Sequence, residues 1–101
     1  MKTQIEFNKA LRFLDCGKTE RAIEILQEVI TNSQNEENDL SFISSNCVLG
    51  ELYFDSNNFD KAKFHLETAL SAMNNCSLDE DLFDYEKSCA MKILTDLKSK
   101  D

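Results

Sequence analysis

Ala10, Gly50 and Ala90 follow one another at steps of 40 residues, and three positions after each stands a large residue: Phe13, Tyr53 and Ile93. Ala22 pairs with Ala62 at the same offset, as do Leu26 with Leu66 and Val29 with Ala69. Self-similarity at a fixed period means that one supersecondary unit is stacked on a copy of itself. The alternation of small and large has a steric sense. A small residue lets a neighbouring helix approach, and large residues one turn away fill the space beside it. The units are expected to be helical, because the chain has no proline and only two glycines. A sandwich or barrel would lack its usual turn residues, whereas helix interiors need neither. With 101 residues only one domain fits, and a chain of this size buries about 60–65% of its unfolded surface, so its core must be continuous.

Apolar spacing predicts five helices and no strand. Ile5, Phe7, Ala10, Leu11, Phe13 and Leu14 share one side of a first helix, closed by Gly17 in the left-handed conformation. A second helix carries Ala22, Ile23, Leu26, Val29 and Ile30, antiparallel to the first because the connection is so short. The polar run TNSQNEEN at 31–38 reads as an exposed loop, with Ser33, Asn38 or Asp39 as the cap of the next helix. The third helix holds Leu40, Ile43, Cys47, Gly50, Tyr53 and Phe54, and Asn57 takes the role that Gly17 has earlier. The fourth presents Phe59, Ala62, Leu66, Ala69, Leu70 and Met73. Ser77 and Glu80 are spaced as a capping box for the last helix, with Asp79, Glu80 and Asp81 at the positive end of its dipole. Leu82, Phe83, Tyr85, Cys89, Ile93, Leu94 and Leu97 are its expected buried positions.

These residues resemble the tetratricopeptide repeat family. The segment LGELYFDSNNFDKAKFHLETA at 49–69 carries Leu49, Gly50, Tyr53, Phe59, Ala62, Leu66 and Ala69 at that repeat's spacing, and 3–30 follows it through Ala10, Phe13, Ala22, Leu26 and Val29. Two departures stand out: Glu6 and Asn46 replace the aromatic near the start of each repeat, and Asn74 replaces the closing Pro. The resemblance implies a short α-solenoid of antiparallel helix pairs wound as a right-handed superhelix, with repeats at about 3–32 and 38–74 and a capping helix at about 78–99. It also implies a concave face built from the first helix of each pair. On that face it places Gln4, Phe7, Leu11 and Leu14, then Ser44, Cys47, Glu51, Phe54 and Asp55, then Asp84, Lys87, Met91 and Thr95. The basic and amide residues with which some members clamp a chaperone's terminal carboxylate are replaced by Phe7, Leu11, Cys47 and Glu51. What is left is an apolar groove with an acidic edge, suited to a basic or amphipathic segment of another protein. Alternatively Phe7, Leu11 and Leu14 are plain core, if so short a stack folds in on itself.

The charge bears on the partner. Against 19 Asp+Glu stand 11 Lys+Arg, a net charge of −8 whose excess lies in the last two thirds of the chain. Such a field repels polyanions, so nucleic acid is a poor partner and a basic protein surface a better one. Asp79, Glu80, Asp81, Asp84 and Glu86 make an acidic cluster that reads either as a patch for a basic partner or as dipole stabilisation plus solvation. It lacks the glycine and final glutamate of an EF-hand loop. Cys16, Cys47, Cys76 and Cys89 are widely spaced, with neither a metal-ligand nor a redox pattern. No basic-then-apolar leader and no membrane-length apolar run occur, so four free thiols in a cytoplasmic setting are expected.

Catalysis finds little to work with. His65 is the only histidine and most simply a half-exposed helix residue, and Gly17 and Gly50 cannot form a phosphate loop. No cofactor is called for. The sequence therefore points to a non-catalytic protein-binding module. An immunity protein or antitoxin that occludes a basic toxin, and a small secretion chaperone, are alternatives of the same physical kind. Self-association over the groove is left open.

Overall fold

The computed structural model describes residues 2–76 and 80–99. Its elements are α1 (Lys2–Asp15), α2 (Thr19–Asn35), α3 (Asp39–Asp55), α4 (Phe59–Asn75), a 3-10 turn (Glu80–Phe83) and α5 (Asp84–Ser99), with no strand among the described residues. Neighbours in sequence are neighbours in space. α3 packs most extensively on α4 and then on α2, and α5 closes the row against both α3 and α4. The thinnest dimension is 20 Å, about two helix diameters, so the array is two helices deep. One layer holds α2 and α4, and the other α1, α3 and α5.

One turn, used three times, sets this geometry. Gly17, Glu37 and Asn57 adopt positive φ (78°, 55° and 66°) at intervals of 20 residues. At each, the amide of the next residue reaches back to a carbonyl of the last turn: Lys18 to Phe13, Asn38 to Ser33 and Asn58 to Tyr53, all at 2.8 Å. These are Schellman closures, which satisfy the orphan carbonyls and reverse the chain. The sequence indicates Gly17 and Asn57 for this role. Glu37 carries no such signal.

The expected loop at 31–38 is mostly helix, and this corrects the sequence reading. α2 runs to Asn35, beyond the expected repeat end near 32. The hydroxyl of Thr31 donates to the carbonyl of Gln27 at 3.3 Å, and that of Ser33 to Val29 at 2.6 Å. Hydroxyls folded back on the preceding turn let a polar run stay helical, and Ser33 is small enough to be buried. The repeat period of 40 thus comes from 17-residue helices joined by three-residue turns, not from a long loop. Of the remaining cap candidates, Asn38 is the one used: its Oδ1 accepts from the amide of Ser41 at 3.2 Å, while its Nδ2 donates to Thr3 on α1 at 3.1 Å.

The last helix starts later than expected. Ser77 and Asp79 lie outside the described residues, Glu80–Phe83 form the 3-10 turn, and α5 opens at Asp84 with Asp84 and Glu86 in its first turn. The dipole argument therefore moves from Asp81 to these two.

The repeat columns are the core. Ala10, Ala22, Leu26, Val29, Ala62, Leu66 and Ala69 are inaccessible to solvent, and Ala90 and Tyr53 nearly so. Around Leu26, Leu49 and Tyr53 one cluster spans α1 to α5, and a second gathers Ile43, Cys47, Ala69 and Phe83. Ile5, Leu40, Leu82 and Tyr85, expected on apolar faces, are exposed instead. Ile5 and Tyr85 lie on the end helices α1 and α5, Leu82 in the 3-10 turn and Leu40 at the start of α3. Asn46, which stands where the family pattern has an aromatic, is buried with both amide atoms paired, to the carbonyl of Phe42 at 2.9 Å and to His65 at 2.8 Å.

Candidate partner-binding site

The seam between α3 and α5 gathers the chemistry. Cys47 and Glu51 lie one turn apart on α3, and Asp55 follows one turn later. From α5 come Tyr85, Glu86 and Cys89. Burial first, then the carboxylates of Asp55 and Glu86, raise Glu51 above the ordinary glutamate range. All three influences act in the same direction, as expected of like charges crowded at a half-buried position. Cys47 is pushed up to about 12, by burial and then by Glu86, Glu51 and Cys89. Its thiol stays protonated at neutral pH and is no nucleophile. The Tyr85 phenol is raised by its hydrogen bond with Cys89, followed by the nearby charges, although its ring is 75% exposed.

The residues singled out from sequence are not all brought together. Cys47, Glu51 and Asp55 come together on this seam, though Cys47 is buried in a cluster with Ile43, Ala69 of α4 and Phe83 of the 3-10 turn rather than open to a groove. Phe7, Leu11 and Leu14 are half-buried on α1, neither free anchors nor closed core, with Phe7 packed on the larger cluster. Phe54 tilts its ring onto Phe59 at 5.7 Å and so forms the rim of the core. Asp81, Asp84, Lys87 and Met91 are exposed, Met91 by 54%. Asp79 lies outside the described residues. The charges that raise Glu51 are Asp55 on its own helix and Glu86 on α5, so Glu86 is the member of the linear acidic cluster that acts across to α3.

Sequence reasoning counted Tyr85 and Cys89 as core and Glu86 as part of the C-terminal patch. Their meeting with α3 depends on how α5 is rotated against its neighbour, which helical periodicity leaves free. Among the described residues no group of three His, Cys, Asp or Glu is placed to hold a metal, and no helix is long and apolar enough to cross a membrane. All four cysteines are free thiols, and Cys76 donates to the carbonyl of Met73 at 3.4 Å.

Neither a curated protein nor a solved structure matches the chain. Residues 43–75 match the model of the tetratricopeptide repeat family. That stretch runs from the buried Ile43 through the Gly50–Leu66 contact to the end of α4, and the α1–α2 pair repeats its turn and its core columns 40 residues earlier. The match over 43–75 and the five-helix architecture are together consistent with a small all-helical array of tetratricopeptide-like repeats.

Proposed function

We propose that the chain is a non-catalytic module that holds a segment of another protein against the layer of α1, α3 and α5, with a basic side chain of that segment at the α3–α5 seam. Tetratricopeptide repeats are as a rule scaffolds for other proteins, and the match at 43–75 supports that coarser role. The observation that carries the finer reading is the crowding of Glu51, Asp55 and Glu86 beside an exposed Tyr85. Like charges that raise one another's proton affinity are relieved by a cation, and an aromatic face beside them adds cation–π attraction of about 0.5–2 kcal/mol. The half-buried Phe7, Leu11 and Leu14 would take the apolar side of such a segment. An inhibitor of a basic toxin is one form of this reading, favoured by the net charge of −8.

The test is affinity capture from the native host with the wild-type chain and with Asp55→Lys and Tyr85→Ser, both at exposed positions that leave the core intact. A protein retained by wild type and released by both variants, with an on-rate that falls as salt is added, supports the proposal. Equal retention by all three chains rejects the seam as the docking point.

A further inference from the structure

We infer a second docking surface, on the α2–α4 side of the array, fitted to a cationic amphipathic helix of another protein. Two depressions of about 600 and 430 Å³ share Phe42, Ala72 and Asn75 and so form one groove. Phe42 is half-buried at its base. Phe64 stands 64% exposed on its wall, edge-on to the His65 ring at 5.2 Å.

The charged residues that line this groove have one sign. Glu37, Asp39 and Glu67 line it, and among the described lining residues none is Lys or Arg. A concave surface lined by one sign of charge over low-dielectric walls focuses its potential and gathers the opposite charge. Phe64 and Ala72, eight residues apart on α4, span about 12 Å, or two helical turns. An incoming helix of that length sets apolar side chains at i, i+3/i+4 and i+7 on Phe64, Phe42 and Ala72, and its flanking Lys or Arg reach the three carboxylates. The net charge of −8 argues against a second copy of this chain and against nucleic acid, since like charges repel both. This groove is lined by the end of α2, the first turn of α3 and α4, whereas the seam lies further along α3 at Glu51, against α5, so the two surfaces can be filled separately.

The probe is a synthetic amphipathic Lys/Leu peptide of about 14 residues, long enough to form a helix on binding, titrated into the isotope-labelled full chain. A Glu/Leu peptide of identical pattern is the control. Amide shifts should cluster at 37–42 and 64–72 for the Lys/Leu peptide alone. Its affinity should fall about tenfold with Phe64→Ser, and the triple change Glu37→Gln, Asp39→Asn, Glu67→Gln should remove most of its salt dependence. Thr68→Lys, which places a cation on the groove wall, should weaken binding comparably, and circular dichroism confirms that each variant is folded. Shifts confined to the neighbourhood of Glu51 and Tyr85 would overturn this inference while leaving the seam proposal standing. It is equally overturned by no binding, by equal binding of the Glu/Leu peptide, or by light scattering that shows a wild-type dimer which Phe64→Ser dissociates.

Discussion

His65 donates through Nδ1 to the Oδ1 of the buried Asn46 at 2.8 Å. The tautomer follows from the partner: the amide nitrogen of Asn46 is committed to the carbonyl of Phe42 at 2.9 Å, so its oxygen faces the ring and the ring nitrogen must carry the proton. The imidazole also stacks on Tyr53 at 5.6 Å, whose hydroxyl accepts from Gln27 at 3.2 Å. A polar link thus runs through α2, α3 and α4 where the family pattern has an aromatic. Burial, and then the nearby Lys61, lower the imidazole's proton affinity.

That lowering gives a pH dependence with a definite sign. The unfolded chain takes up a proton near pH 6.5, while the folded chain does so only at lower pH, so acidification through this window favours unfolding. The stabilising contribution is fully present above 6.5 and is lost as pH falls through the lower folded value. Denaturation midpoints measured across this range should drop on acidification in wild type. His65→Gln, which keeps a donor for Asn46 but does not titrate, should flatten the drop.

Gly50 sits where nothing larger fits. A Cβ built there would lie 2.5 Å from both Cγ and Cδ2 of Leu66, which is itself wholly buried. Alanine in a helix gains about 1 kcal/mol over glycine from propensity, but here overpacking of about 1–3 kcal/mol opposes it. Because Leu66 has no room to move, packing wins. Gly50→Ala should destabilise in urea titrations and Gly50→Leu more so. Combined with Leu66→Ala, Gly50→Ala should cost less than the two single changes added together.

Glu37 holds a left-handed backbone, φ 55°, with a side chain that does not favour it. Replacing it by glycine relieves a penalty of about 1 kcal/mol, partly offset by the greater freedom of glycine in the unfolded chain. Glu37→Gly should therefore raise thermal stability, and Gly17→Ala, which puts a Cβ on the equivalent turn, should lower it by a similar amount. A drop in melting temperature for Glu37→Gly would show that its carboxylate, not its backbone, matters at that turn.

The hydroxyls of Ser41 and Ser45 are buried without a hydrogen-bond partner among the described residues. A buried unsatisfied hydroxyl costs about 1–3 kcal/mol, and alanine is also the better helix former. Ser45→Ala should stabilise the fold by about 1 kcal/mol, read from chemical denaturation.

Glu51 titrates in the opposite sense to His65. Its folded carboxyl is raised above 4.5, so the folded chain is favoured while the group is protonated, and stability falls as pH rises through the folded value. Glu51→Gln should remove that loss and stabilise the chain at neutral pH, and it should also weaken capture of a basic partner. Stability gained together with binding lost identifies the seam as a place where packing is given up for recognition.

The sequence by itself determined the helices, their pairing and their core. The 40-residue columns Ala10/Gly50/Ala90 and Leu26/Leu66 are local periodicity made visible twice, and short turns leave antiparallel packing as the only option. Gly17 and Asn57 were legible because left-handed residues have a chemical signature; Glu37 was not, because its turn is imposed by the helices on either side. Periodicity likewise could not separate a polar loop from the end of α2, whose hydroxyls bond back to the helix. The candidate site was the least legible. Cys47, Glu51 and Asp55 followed from the repeat, but their partners Tyr85, Glu86 and Cys89 are set by the rotation of α5 against α3. Repeat periodicity encodes which residues point inward along one helix. Only tertiary packing fixes the angle at which an end helix, covered on one side alone, settles on its neighbour.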